Sequence, residues 1–235
     1  MEDIFGTLQR ARKQDSDHWI SMSDLMAGLM MVFLLISIAF MLYVQVERNK
    51  IIEIAVAYQN SQVAIYEDLQ EEFANDLPIW DAEIDKTTLE FRFKSPDVLF
   101  DNAKDTLKPE FEAILANFFP RYLNVLSKFR KHIQEVRIEG HTSSFWRGAT
   151  SPDEAYFQNM ALSQGRTRSV LQYLYSLPTV AEHQQWLKDN FAAVGYSSAH
   201  PIMDVSGAED TERSRRVSFR VMTNAEVEIR RIIKD

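Results

Sequence analysis

LMAGLMMVFLLISIAFMLYV, residues 25–44, contains no charged side chain. At about 1.5 Å of rise per residue, a helix of this length spans roughly 30 Å, the thickness of a bilayer's hydrocarbon core. A secretory signal is a poor fit. Its apolar region is about 7–15 residues long and ends in small residues at a cleavage site. Here the run continues into Tyr43, Val44, Gln45, Val46 and Glu47, and the chain has no cysteine that could carry a lipid. The segment reads as a retained membrane anchor.

Asp24 stands directly before the run. As a helix cap it would simply start the helix. Trp19 argues against a cap, because aromatic residues favour the membrane interface and move the helix's border upstream. Asp24 then lies inside the membrane helix, where carboxylates are costly and belong to ion or proton paths. Ser21 and Ser23 are candidate supports of such a path, although helix hydroxyls more commonly bond to backbone carbonyls. Met22, Met26, Met30 and Met31 read as adaptable packing residues. Arg10, Arg12 and Lys13 precede the span, Arg48 and Lys50 follow it, and no further Lys or Arg occurs before Lys86. This bias favours a cytoplasmic N-terminus.

Ile51, Ala55, Tyr58, Gln62, Ile65 and Leu69 step by four and three, a narrow apolar seam on a helix that outlasts the membrane run. Such a helix either pairs with a second helix or lies on its own C-terminal domain. Asp76-Leu77-Pro78 ends it. Beyond, Leu89–Phe93, Val136–Gly140, Phe191–Tyr196 and Val217–Val221 read as strands. Helices are expected after Pro109, after Ser151-Pro152 with Ser151 as N-cap, and around Trp186-Leu187. Pro120 is a candidate kink or restart. Strands separated by helices define an α/β sandwich, a small sheet with helices on one face. The expected organisation is a short cytoplasmic tail (1–18), a single transmembrane helix (19–46), a juxtamembrane helix (47–78) and an α/β domain (79–235).

The net charge of −8 and the lack of a Lys/Arg block argue against direct nucleic-acid binding. No phosphate-binding glycine loop, nucleophile elbow or paired-histidine zinc motif is present. The five histidines show no paired metal-ligand spacing. The chain reads as a non-enzyme without a cofactor.

Gly140-His141-Thr142, Asn159, Leu162-Ser163, Arg166, Gly195-Tyr196, Pro201 and Arg215-Arg216-Val217 occur in an order that resembles the OmpA-like peptidoglycan-binding domain, found also in the flagellar stator protein MotB and the lipoprotein Pal. The resemblance covers residues 80–223. It implies that His141, Thr142, Ser143, Asn159, Leu162 and Arg166 form a cleft for the diaminopimelate-containing stem peptide of the cell wall. Asn159, Leu162 and Arg166 share one helix face by spacing, and a guanidinium suits a carboxylate. Where the family has an Asp that meets the ligand's ammonium, this chain has Ser143. Glu139 and Asp153 are candidate substitutes for that charge. Arg215 and Arg216 read as solvated or locally paired.

Trp19-Ile20-Ser21-Met22-Ser23-Asp24 resembles the start of the MotB membrane helix. Ser23–Phe33 is closer still to the B subunit of the Zorya antiphage defence system. The resemblance implies that Asp24 carries H+ or Na+, that two copies of the chain sit within a pentameric ZorA-like (MotA-like) membrane subunit, and that peptidoglycan holds the C-terminal domain. A flagellar stator and a passive membrane-to-wall tether are the rival expectations.

Overall fold

The computed structural model describes residues 2–94, 99–101 and 103–224; the last residues of the expected C-terminal domain, 225–235, lie outside the described residues. The chain divides into two compact units, residues 1–53 and 54–235. A helix, α1 (Glu2–Phe73), contributes to both.

In the first unit, Met22–Glu53 is long and apolar enough to cross a membrane. Its large apolar residues are exposed, among them Phe33 at 60% and Leu35 at 60%. A solvated stripe of that size needs a hydrocarbon or protein environment. Asp24 falls within α1 rather than at its start, so it is not a helix cap.

The second unit is built on a mixed sheet of five strands: β1 (Ala82–Asp85), β2 (Glu90–Phe93), β3 (Ile133–His141), β4 (Phe191–Gly195) and β5 (Arg216–Thr223). Their order is β1-β2-β5-β3-β4, with β3 and β4 parallel and the other neighbours antiparallel. Among the described residues the α-helices of this unit, after the end of α1, are α2 (Pro109–Ser127), α3 (Pro152–Ser176), α4 (Gln184–Asn190) and the single turn α5 (Thr211–Ser214), with a 3-10 helix at Pro178–His183. The α/β sandwich is as expected. β1 is an addition: Ala82-Glu83-Ile84-Asp85 is too short to declare itself without β2 beside it. Phe191 opens β4, as the strand reading expected.

Strand alternation sorts the sheet into two faces. Phe91 and Phe93 of β2, Val136 and Ile138 of β3, and Val217, Phe219 and Val221 of β5 are buried in the apolar core. Phe118 of α2 meets five of the surrounding rings closely, with centroids 4.6 Å from Phe91, 4.9 Å from Tyr122, 5.1 Å from Phe219 and 5.3 Å from both Phe73 and Phe93. α2 runs through Pro120 without a break. Pro120 cannot donate to the helix ladder, yet the neighbours Phe118, Phe119, Tyr122 and Leu123 are fixed by burial.

The juxtamembrane seam takes the second of its two options. Ile65, Leu69 and Phe73 are fully buried in the core of the second unit. Gln62 Nε2 donates to the carbonyls of Lys86 (3.3 Å) and Thr87. Lys128 pairs with Asp68 at 2.8 Å, while Arg121 reaches Glu72 at 2.6 Å and Asp76 at 2.9 Å and lies over the Phe73 ring. Farther up the seam Ile51 is 42% exposed, and the Tyr58 side chain lies outside the described residues.

The last turns of α1 are therefore part of the domain's core. A fragment starting at residue 79 is expected to melt well below one starting at residue 54, since each lost Leu, Ile or Phe leaves a cavity worth about 2–5 kcal/mol. Thermal denaturation of the two fragments checks this.

Candidate functional site

Two glycines position the site. Gly140 of β3 pairs with Gly195 of β4, and α3 lies directly across them. A Cβ on Gly140 would sit 2.8 Å from the Ser163 carbonyl oxygen and 2.8 Å from Thr167 Cγ2. On Gly195 it would sit 2.5 Å from the Gln164 nitrogen. Only hydrogen at both positions permits this approach. α3 begins where the sequence marks it, with Ser151 Oγ accepting from the Glu154 N–H at 3.2 Å and Pro152 in the first turn.

Ser197 joins the three elements. It is fully buried with φ +54°, just beyond β4. Its N–H donates to Ser163 Oγ (3.1 Å), its hydroxyl to the Tyr156 carbonyl (2.6 Å), and its carbonyl accepts from the Thr142 N–H (2.9 Å). Nothing in the local sequence singles it out, because the bonds come from α3 and from the loop after β3.

With α3 held there, a cavity of about 470 Å³ opens between the loop after β3 and the helix. Thr142, Ser143, Phe145, Trp146 and Arg147 line it from the loop, and Asn159, Leu162 and Arg166 from α3. Phe100, Ala103 and Arg215 complete the wall. The buried Asn159 Nδ2 donates to the Ser143 carbonyl at 3.0 Å and, more weakly, to that of Phe145 at 3.4 Å, so it shapes the loop as well as facing the cavity. Arg166 is 8% exposed. Its Nε donates to the Lys104 carbonyl (2.9 Å) and Nη2 to that of Asp101 (3.4 Å), with the guanidinium 4.7 Å from the Phe100 ring centre.

The structure thus brings Thr142, Ser143, Asn159, Leu162 and Arg166 together, and His141 departs from them. Strand alternation turns Gly140 toward α3 and His141 to the other face of the sheet, where it stacks on Tyr196 with centroids 5.2 Å apart. Burial pushes its imidazole below the ordinary value, against the raising effect of Glu139. Glu139 shares that face, 3.6 Å from His141, and Asp153 is exposed in the first turn of α3, so neither lines the cavity. A different carboxylate, Glu209, meets the loop instead: it accepts from the Ser144 N–H at 3.0 Å and from the Ser144 hydroxyl. Arg215 is locally paired as expected, its Nε donating to the Thr211 carbonyl at 3.2 Å, and it also lines the cavity, whereas Arg216 is buried beside Glu90. The charged side chains on the wall, among the described residues, are all arginines: Arg147, Arg166 and Arg215.

Asp24 and Ser23 are exposed on α1 in the first unit, and the side chain of Ser21 lies outside the described residues.

The second unit has the fold of a MotB-like protein. A crystal structure of a MotB-like protein from Desulfovibrio vulgaris matches 70% of this chain and 93% of its own length, at 20% identity and a TM-score of 0.50. The OmpA-like domain of FopA1 from Francisella tularensis matches 60% of this chain and 80% of its own, at 18% identity and a TM-score of 0.38. No protein-family model matches the chain. Over all 235 residues, and the whole of both chains, it is 63% identical to the Zorya protein ZorB of Escherichia coli. The chain belongs to the ZorB family.

The glycine pair makes a direct claim about stability. Gly140→Ala is expected to push α3 off β3 and to cost about 1–3 kcal/mol by overpacking, measured as a lowered midpoint in denaturant.

Proposed function

We propose that this chain is the wall-anchored B subunit of an ion-driven, MotB-like rotary motor of the inner membrane, working in antiphage defence. The observation that carries the reading is Asp24 within a membrane-length apolar helix, on a chain whose other unit has the fold of a MotB-like protein. The N-terminus is cytoplasmic and the α/β domain periplasmic. Two copies place their Asp24 helices inside a ZorA-like ring, pentameric by resemblance to stators. The ion is most simply a proton, since a lone carboxylate suffices to carry one.

In this reading Asp24 alternates between its protonated and ionised forms. Each charge crossing 100 mV releases about 2.3 kcal/mol to turn the ring. Torque requires a fixed point, and peptidoglycan supplies it through the arginine-walled cavity. Arg166 is already oriented by two backbone carbonyls and a ring, so little order is lost when it takes a carboxylate of the stem peptide. Ser143 bonds an ammonium without neutralising it, which leaves the cavity biased toward the carboxylates of the ligand.

The discriminating experiment is Asp24→Asn in cells challenged with phage. Protection is expected to vanish while membrane insertion and protein level stay normal; full protection would remove the motor and leave a passive tether. Arg166→Ala tests the anchor separately. Loss of a charge-assisted bond worth about 1.5–3 kcal/mol should lower retention on purified sacculi by at least tenfold, and unchanged pull-down would remove wall binding.

A further inference from the structure

The face of the sheet turned away from the helices carries a second, buried constellation. Glu90 of β2, Glu139 and His141 of β3, and Arg216 and Ser218 of β5 are each at most 8% exposed. Register explains the meeting: Arg92 and Glu139 both lie opposite Ser218, and His141 lies opposite Arg216. The small Ser218 side chain, fully buried between β2 and β3, lets Glu90 and Glu139 approach each other over β5.

We propose that Glu90, Glu139 and His141 form a binding site for one first-row divalent cation of the zinc class. One carboxylate oxygen from each glutamate and one imidazole nitrogen lie within 4.8 Å of one another. The Glu139–His141 approach is 3.6 Å, close to the edge of about 3.4 Å of a tetrahedron with metal–ligand bonds near 2.1 Å. A small closure of Glu90 completes the three-ligand set and leaves a fourth position for water. Buried acceptors point the same way: Glu90 Oε1, Glu139 Oε1 and both ring nitrogens of His141 lack a hydrogen-bond partner among the described residues. Such atoms, nine-tenths or more buried, call for a cation or a donor.

The surroundings suit a dication. Arg92 holds the other Glu90 oxygen at 2.7 Å and is itself shared with Glu83 (3.3 Å) and Asp85 (3.2 Å). Lys94 bridges Asp81 and Glu83, and Arg216 Nε stands 4.0 Å from Glu90 Oε1. With Arg137, paired to Glu135 at 3.2 Å, and Arg220, opposite Glu90, on the same face, the layer holds six carboxylates (Asp81, Glu83, Asp85, Glu90, Glu135 and Glu139) against five cations (Arg92, Lys94, Arg137, Arg216 and Arg220), an excess of one negative charge. One imidazole with two carboxylates favours zinc or iron over magnesium or calcium, which prefer all-oxygen shells. Because His141 adjoins Thr142 and Ser143, a bound ion would pin the strand end from which the cavity loop departs.

The test uses the full-length, tag-free chain in detergent, treated with chelator and titrated calorimetrically with zinc chloride. One zinc per chain is expected, with affinity falling at least tenfold in Glu139→Gln and in His141→Gln, while circular dichroism shows both variants folded. Absence of binding by the parent chain, or affinity unchanged in both variants, overturns the site. Should either variant fail to fold, cobalt substitution of the parent chain decides. Intense visible bands of a four- or five-coordinate ion support the site, and a spectrum like that of aqueous cobalt overturns it.

Discussion

The contact between α3 and the paired glycines of β3 and β4 is the constraint on which the cavity depends. With Cβ atoms at Gly140 and Gly195, the helix would stand farther from the sheet, and Ser163 would lose its place beside Ser197. Asn159 could then no longer reach the Ser143 carbonyl, so the loop after β3 would lose the bond that shapes it. Close packing turns a short backbone approach into the position of every side chain on the helix face above it.

The same strand feeds two environments. Val136, Ile138 and Gly140 face the core and α3, while Arg137, Glu139 and His141 face the other side. An apolar core therefore sits directly behind a layer of ion pairs and buried carboxylates. Burial alone would raise the Glu90 carboxyl, but the Arg92 guanidinium bonded to it and the Arg216 charge nearby leave it below the usual carboxylate range. That layer is costly to build, since buried charges need partners. It sits immediately beneath the start of the cavity loop.

Much of this could be read along the chain. Periodicity marked the apolar helix, the strands around Phe91, Ile138 and Phe219, and the helix that Ser151 caps, because each depends on neighbours within one turn or one pleat. Asn159, Leu162 and Arg166 were legible as a set for the same reason. The local pairing of Arg215 was legible, but not its place on the cavity wall, which it reaches from the far end of the chain. His141 was misplaced because its neighbours in the motif face α3, whereas alternation sends it behind the sheet. Glu209 meets Ser144 across a separation in sequence that no local pattern reports.

By itself the sequence determined the membrane-length run, the carboxylate within it and the kinds of element that follow, since length, charge and period act on consecutive residues. Only the tertiary structure decided that α1 ends inside the domain core, that arginines wall the cavity, and that Glu90, Glu139 and His141 converge. Those outcomes depend on strand order and on the distance between a helix and a sheet. Both are fixed by packing between residues remote in the chain.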